Sequence, residues 1–304
     1  MKLLFVKNKD IDYKKWDDTI KKSYNGNVYA FSWYLDIVCN WDAIITPDYK
    51  YLMPLPTSKK FLIKYAYTPV LIQQLGIFSN NQIDDKILNN FLNLAKKKYK
   101  YFDIKFNKYN DVTKLNIEKK ENITHELDLI QNYSDIYKKY STNTKRNLKK
   151  AEQNNLTVSK NITIKQILHL LETNLGNKIK ELNNKTLNKI KFIISQSSHK
   201  NMGEIIGVYD QYNNLISAAF FIISHNKAIM LILATSDESK KTGANFKLID
   251  YFIKQNSGKH LTLDFEGSNI ESIARFYASF GAKKFKYYNI KYNNLPSLIK
   301  ILKK

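Results

Sequence analysis

The sequence predicts a mixed α/β (α+β) fold of two tandem domains, each a mixed β-sheet flanked by helices. In both halves of the 304-residue chain, apolar segments typical of strands precede an amphipathic helix and an aspartate-bearing strand. The spacing also matches, since Leu75 lies 28 positions before Asp103 and Ala234 lies 30 positions before Asp264. A repeated unit explains both observations, and we expect domains at residues 1–131 and 132–304.

The first half shows the order of elements most simply. Residues 51–56 and 63–67 are typical of sheet segments, and residues 71–78 are typical of an apolar strand. Apolar residues at helical spacing predict a helix over residues 84–98, and the strand 101–106 closes the unit.

The second half repeats this order after a helical connection. Residues 125–130 predict the strand that finishes the first unit, and Ser134 can cap a helix that runs to about residue 154. The remaining predicted elements are helices at 164–175, 185–197 and 244–255, strands at 204–209, 215–223, 228–234 and 261–266, and a loop with Gly243 before the helix at 244.

Composition limits the class of protein. The 43% hydrophobic content is enough for a folded core, and no apolar run reaches the ~18–20 residues of a membrane span. The single cysteine, Cys39, excludes an internal disulfide and fits a reducing compartment, so we expect a cytoplasmic protein. The formal charge of +22 fits a polyanionic partner, but it also fits a drift of surface positions toward lysine.

Arginine is rare in this basic chain: only Arg146 and Arg275 occur among 49 basic residues. It is expected to persist where a planar fork must grip a carboxylate or phosphate. On the predicted helix, Arg146 shares a polar stripe with Lys150. We therefore predict that Arg146, Lys150 and Arg275 bind one of the substrates, called the acceptor below. Chance survival on solvated faces would give the same pattern.

The strand that contains Asp264 is the best candidate for chemistry. Alternation places Asp264 and Glu266 on one side of it, and Gly267 then allows the chain to turn. Ser268 is expected to cap the next helix, which brings Tyr277 back toward the carboxylates. We predict that Asp264 or Glu266 acts as the general base and Tyr277 as the proton donor. The alternative is that these acids cap neighbouring elements.

Three stretches of the chain resemble one family. Asp264-Phe-Glu-Gly-Ser268 with Arg275-Phe-Tyr-Ala-Ser-Phe-Gly281 resembles the closing motif of Fem-type peptidyltransferases and their relatives in the GNAT superfamily. Residues 140–151 are similar to the basic helix of that family, and residues 69–78 to its first-domain strand. The resemblance implies two tandem GNAT-like domains and transfer of an acyl or aminoacyl group to an amine.

The same resemblance points to a donor loop. GNAT enzymes hold the coenzyme A pyrophosphate on Gln/Arg-x-x-Gly-x-Gly/Ala at a helix N-terminus. The corresponding stretch matches at Gly243 and departs at both ends, and its predicted donor-binding residues are Lys240, Lys241, Gly243, Ala244 and Asn245. Tyr277 stands where the peptidyltransferase branch carries lysine, and that branch's long helical arm is absent. Both departures weaken aminoacyl-tRNA as the donor and favour a GNAT-like acyltransferase of unassigned substrate, for which acyl-CoA is the expected co-substrate.

The sequence thus predicts a GNAT-fold N-acyltransferase that takes an anionic donor and an amine acceptor. Two alternatives remain open. One is a Fem-type transferase that uses aminoacyl-tRNA on a peptidoglycan precursor, with tRNA as a partner. The other is a binding protein without catalysis on a degenerate GNAT scaffold. We expect no metal, because the five histidines lack ligand spacing and one cysteine cannot form a zinc site.

Overall fold

The computed structural model describes residues 1–60, 62–175, 182–267 and 269–296. The chain forms two compact units. The first unit comprises Met1–Asn122 and Lys286–Lys304, and the second comprises Ile123–Phe285. Across the described residues, no helix combines the length and the apolar character needed to cross a bilayer.

The helices and strands of the described residues have the following bounds. The helices are α1 (Tyr13–Lys22), α2 (Ser32–Val38), α3 (Asp85–Lys98), α4 (Tyr133–Lys138), α5 (Thr142–Gln153), α6 (Ile164–Leu175), α7 (Asn184–His199), α8 (Asp237–Thr242), α9 (Ala244–Asn256) and α10 (Glu271–Ala278). The strands are β1 (Leu4–Lys7), β2 (Asn40–Ile45), β3 (Tyr51–Lys60), β4 (Ile63–Tyr67), β5 (Phe78–Ser79), β6 (Tyr101–Phe106), β7 (Glu118–Asp128), β8 (Thr157–Ser159), β9 (Gly203–Tyr209), β10 (Leu215–Ser224), β11 (Lys227–Thr235), β12 (Thr262–Asp264) and β13 (Lys283–Asn293).

The first unit contains a mixed sheet in the order β1-β2-β3-β4-β6-β13. Neighbouring strands are antiparallel, except that β4 and β6 run parallel. Phe102 and Ile104 alternate with Asp103 along β6, and both apolar side chains are fully buried, as is Phe91 of α3. The alternation leaves Asp103 on the partly exposed face of the strand.

The second unit contains a sheet in the order β8-β9-β10-β11-β12-β7. Its strands are again antiparallel, except for one parallel pair, β11 and β12. One face packs against α5 and α9 in a core that includes Phe221 stacked on Phe252 with ring centroids 3.9 Å apart. The two sheets therefore have the same order and pairing senses, and Asp103 and Asp264 lie on corresponding strands. Tandem GNAT-like domains stay a prediction.

The sixth strands of the two sheets are exchanged. The strand that follows β6 in sequence belongs to the second sheet, and the strand that follows β12 belongs to the first. β7 follows β6 in sequence, yet its residues 126–128 pair with β12. β13 follows β12, yet its residues 288–293 pair with β6. The predicted domains 1–131 and 132–304 follow chain order, whereas the first compact unit takes its last strand from beyond residue 285.

Several predicted elements are confirmed. The helix predicted from residue 84 is α3, which begins after the capping side chain of Asp84. The strand predicted at 101–106 is β6, and the helix predicted at 244–255 is α9. These segments carry strong periodicity together with caps or breaking residues at their ends.

Three local predictions were wrong. Residues 71–78 form no continuous strand, because Leu71 and Gly76 take positive φ values of 73° and 98°. The helix predicted to begin after a Ser134 cap is two helices. Asn132 caps α4, so that Ser134 lies inside it, and Ser141 caps α5 by accepting a hydrogen bond from the Thr144 N–H. The stretch before Gly243 is the helix α8 rather than a loop, because Ser236 caps it at the Ser239 N–H.

Candidate functional site

The candidate site lies where two parallel strands of the second unit, β11 and β12, diverge. β12 pairs with β11 only as far as Asp264, opposite Ile229, whereas β11 continues to Thr235. Ligands of mixed and parallel sheets commonly bind at the carboxyl ends of such strands. The end of β12 and the following segment, residues 264–267, are called the β12 end below.

Asp264 is buried and fully engaged at the β12 end. Its Oδ1 accepts hydrogen bonds from the Thr124 hydroxyl at 2.8 Å and from the Glu266 N–H at 2.9 Å. The Lys227 ammonium lies 3.2 Å from Oδ2 and 2.6 Å from Oε1 of Glu126. Because a paired and buried carboxylate is poorly placed to receive a substrate proton, Asp264 is better suited to fixing the turn than to acting as the base.

Glu266 lies in that turn rather than on the strand. The strand ends at Asp264, so the predicted alternation does not extend to Glu266, whose φ is 56°. Gly267 follows with a φ of 46°, and a Cβ there would lie 2.2 Å from the Thr124 Cα. Only glycine permits this approach of the turn to β7. Glu266 is held half-exposed, the environment that a general base needs.

Tyr277 comes back toward the carboxylates from α10. Its ring stacks on Phe265 at 4.9 Å, and it lies at the edge of the core of the second unit. Burial raises the pKa of the Tyr277 hydroxyl, and the negative charges of Glu266 and Asp264 raise that pKa further. The hydroxyl is therefore protonated at neutral pH. The helix begins at Glu271 after Ile270, and the predicted cap, Ser268, lies outside the described residues.

The predicted donor segment is engaged in ion pairs and in helix packing. Lys240 and Lys241 lie on α8, where they form exposed ion pairs with Asp237 at 3.0 Å and Glu238 at 3.5 Å. Gly243 joins α8 to α9 with a φ of 81°, and a Cβ there would lie 2.4 Å from the carbonyl oxygen of Asn147 on α5.

The start of α9 is engaged in the same way. Ala244 is fully buried, and Asn245 accepts a hydrogen bond from the Ser217 hydroxyl at 2.7 Å. Gly243 therefore allows α5 to pack closely against the junction of α8 and α9.

The predicted acceptor residues are all exposed. Arg146 donates a hydrogen bond to the Asn143 side chain at 2.9 Å, so these two side chains lie on one face of α5, and Lys150 lies one turn further on. Arg275 lies 3.9 Å from Glu271 in a pair whose side chains are both more than 70% exposed. An exposed pair of this kind contributes little stability, so these cations remain available to a ligand.

Aromatic contacts join the motif-bearing segments. Tyr140, from the basic stretch, contacts Phe280 with ring centroids 5.4 Å apart. Phe246, just after the donor segment, contacts Phe276 at 5.0 Å, and Phe276 contacts Phe280 at 5.5 Å. The basic stretch, the donor segment and the closing motif therefore meet around α10.

The network of Thr124, Glu126 and Lys227 was missed from the sequence. Glu126 and Thr124 alternate on β7, and Lys227 begins β11, so no local motif connects them with Asp264. His125 points the other way, with a buried Nδ1 that has no hydrogen-bond partner among the described residues. No group of three metal-ligand side chains occurs within the described ranges.

No protein-family model matches the sequence, and no curated protein matches it either. Solved structures do match. FemX has a TM-score of 0.72 at 12% identity, with 100% of both chains covered. L-PGS from Bacillus licheniformis has a TM-score of 0.61 at 10% identity, covering 96% of this chain and 95% of that one.

A conserved protein of unknown function from Bacteroides thetaiotaomicron has a TM-score of 0.59 at 12% identity, covering 95% and 99% of the two chains. These similarities extend over nearly the whole chain. At the level of the fold they confirm the resemblance to Fem-type proteins.

Proposed function

We propose that this protein transfers an acyl or aminoacyl group from an activated donor to an amine acceptor at the β12 end. The observation that carries the proposal is a half-exposed carboxylate, Glu266, held in a glycine turn where β11 and β12 part, in a chain with the FemX fold. The ligand crevice expected for such strands and a base of this kind coincide there.

The side chains at the β12 end and on α10 then have the following roles. The acceptor nitrogen attacks the donor carbonyl carbon, a new C–N bond forms, and Glu266 accepts the amine proton. The C–S or C–O bond to the leaving group breaks, and Tyr277 donates the proton that this group takes up. Asp264 positions Glu266 by accepting its backbone N–H at 2.9 Å. Backbone N–H groups near β11 are proposed to stabilise the oxyanion.

Two donors, acyl-CoA and aminoacyl-tRNA, can be compared against the geometry of the chain. Acyl-CoA, bound by Lys240, Lys241, Gly243, Ala244 and Asn245, stays a proposal. The close packing of Gly243 on the Asn147 carbonyl speaks against it, because a pyrophosphate needs open space beside the backbone N–H groups of a helix N-terminus. An aminoacyl-tRNA donor is the second candidate, and the exposed cations Arg146 and Lys150 on α5 favour it, since they suit a phosphate backbone.

The test compares the two donors directly. The protein is incubated with a lysine-containing peptide and either radiolabelled aminoacyl-tRNA or radiolabelled acetyl-CoA, and label in the peptide is measured. Binding is measured in parallel at ~50 and ~200 mM salt, because affinity for RNA should fall by at least about tenfold over this range. If neither donor labels the peptide or binds, the transferase proposal is wrong.

A variant pair separates the donor candidates. Replacing Arg146 and Lys150 together by alanine should weaken tRNA binding and reduce its salt dependence, while Lys240→Ala with Lys241→Ala should leave tRNA binding unchanged. If coenzyme A carries the donor group, Lys240→Ala with Lys241→Ala should instead weaken the binding of coenzyme A. A thermal shift with coenzyme A, worth ~2.7 kcal/mol at 100-fold excess over Kd, would support that donor.

A further inference from the structure

A cavity of about 410 Å³ opens in the second unit at the Thr262 end of β12. It lies between the β7–β12 pair and the start of β13, and its lining includes Glu126, Asp128, Thr262, Lys139, Lys283 and Phe285. We refer to it as the Glu126 cavity. None of the residues assigned to the transfer reaction lines it.

The Glu126 cavity presents charges of both signs. Glu126 and Asp128 alternate on β7, so both carboxylates lie on one side of that strand. Lys139 and Lys283 supply two ammonium groups at its wall, and both side chains are exposed. Phe285 and Leu127 add apolar surface. A lining that pairs carboxylates with ammonium groups complements a ligand that carries both charges, not a simple anion or cation.

Glu126 is the buried part of this lining. Its side chain is 6% exposed, and the Lys227 ammonium lies 2.6 Å from Oε1. Lys227 is shared with Asp264, so this lining residue belongs to a compact cluster of two carboxylates and one ammonium. A second ammonium brought by a ligand would be electrostatically favourable there, because buried carboxylates are stabilised by opposite charge at short range.

We propose that the Glu126 cavity binds a free α-amino acid. The ligand ammonium would lie against Glu126 and Asp128, and its carboxylate against Lys139 and Lys283. The hydroxyl of Thr262 can donate or accept a further hydrogen bond, and the ligand side chain would lie on Phe285. The volume is sufficient for such a ligand. None of the lining residues takes part in the proposed transfer, so ligand binding can be measured separately from that reaction.

Titration calorimetry on the whole protein tests the proposal. The standard α-amino acids are titrated one by one, followed by the N-acetyl and α-carboxamide derivatives of the tightest ligand. Removing either charge should weaken binding by about tenfold or more, because charge-assisted hydrogen bonds are lost. Absence of binding for every amino acid, or binding that survives N-acetylation, would overturn the proposal.

Two neighbouring lysines provide the matched variants. Lys283→Gln removes a lining charge and should weaken amino-acid binding by about tenfold. Lys284→Gln is the control, because adjacent residues on a strand point to opposite sides and Lys284 does not line the cavity. Both residues are exposed, so both variants should fold. Equal affinities in the two variants would exclude Lys283 from the site and refute the assignment.

Discussion

The two sheets place an aspartate at the same position but surround it differently. Asp264 is paired with Glu126 on one neighbouring strand, and Lys227 lies two residues before its partner on the other. The corresponding positions around Asp103 are Lys291 and Tyr65. Asp103 accepts hydrogen bonds from the Tyr101 hydroxyl at 3.2 Å and from the Asn289 amide at 2.6 Å.

This difference determines what each sheet can do. Among the described residues no ion pair involves Asp103, and Lys291 instead lies 3.3 Å from Glu118. Burial and then the Asp103 carboxylate raise the pKa of Tyr101 to about 12. Around Asp264 the charges form a buried cluster that fixes the turn carrying Glu266. Equivalent strand positions therefore do not imply equivalent chemistry, and the following experiments test that statement.

The largest expected effect is on catalysis. Glu266→Gln and Tyr277→Phe should each slow the proposed transfer by ~10²–10⁴-fold, because each removes a proton-transfer group. Asp103→Asn should leave the rate nearly unchanged. Initial rates with a saturating donor provide the measurement. A severe loss in Asp103→Asn with little loss in the other two would move the reaction to the first unit.

The next effect is on stability. Lys227→Met should lower the free energy of unfolding by about 3–5 kcal/mol, because it leaves Glu126 and Asp264 buried without their shared ammonium. In the first unit, Lys64→Met should cost less, because Asp42 keeps Lys7 at 3.2 Å and the Tyr99 hydroxyl at 3.0 Å. Urea unfolding compares the two. Equal losses would contradict the difference in charge balance.

A smaller effect concerns single hydroxyl groups. Thr124→Val removes a buried hydrogen bond of 2.8 Å to the Asp264 carboxylate and should cost about 1.5–3 kcal/mol. Tyr101→Phe removes a hydrogen bond to the partly exposed Asp103 and should cost about 1 kcal/mol. Both are measured by urea unfolding. The reverse order would show that Asp103 is the more strongly desolvated carboxylate.

The smallest effect is a dependence of stability on pH. Burial, and then the positive charge of Lys284, hold the pKa of His125 below its ordinary value, against an opposing effect of Asp264. The unfolded chain therefore binds the proton first, and the stability due to neutral His125 declines as the pH falls below about 6.5. His125→Leu should flatten this decline, which thermal unfolding at several pH values can measure.

The first unit should respond to acid later. Burial by itself raises the pKa of Asp42, but hydrogen bonds and charge from Lys64, with Tyr99 and Lys7, lower it overall. A carboxylate with a lowered pKa stabilises the fold above about pH 3.9, and this stability is lost as the pH falls through the folded-state pKa.

If the stability of wild type and of His125→Leu changes equally between about pH 6.5 and 4, His125 is not the cause of the decline in that range.

Local signals in the sequence predict much of this fold. The helix α9 and the strand β6 follow from periodicity over a dozen residues or fewer, and the turn at Gly267 follows from a residue that tolerates positive φ. The break between α4 and α5 was missed, because Ser134 suggested the start of one long helix, whereas Asn132 caps α4 and Ser141 caps α5.

The candidate site could be predicted only in part. Asp264, Glu266 and Tyr277 lie within fourteen residues, and their proximity follows from a strand, a turn and a helix. The partners of Asp264 come from β7 and β11, which tertiary pairing alone brings together. Packing of α5 on Gly243 is likewise invisible in a motif, so an apparent phosphate loop and a helix junction give similar sequences.

The exchange of the sixth strands has a consequence during synthesis of the protein. As the chain leaves the ribosome, β6 becomes available long before its partner, residues 288–293 of β13. Its free edge exposes unpaired backbone groups for as long as the intervening residues take to appear, at ~5–20 residues per second. Such an edge invites pairing with another chain. Chaperones that cover residues 101–106 during synthesis should therefore increase the yield of native protein.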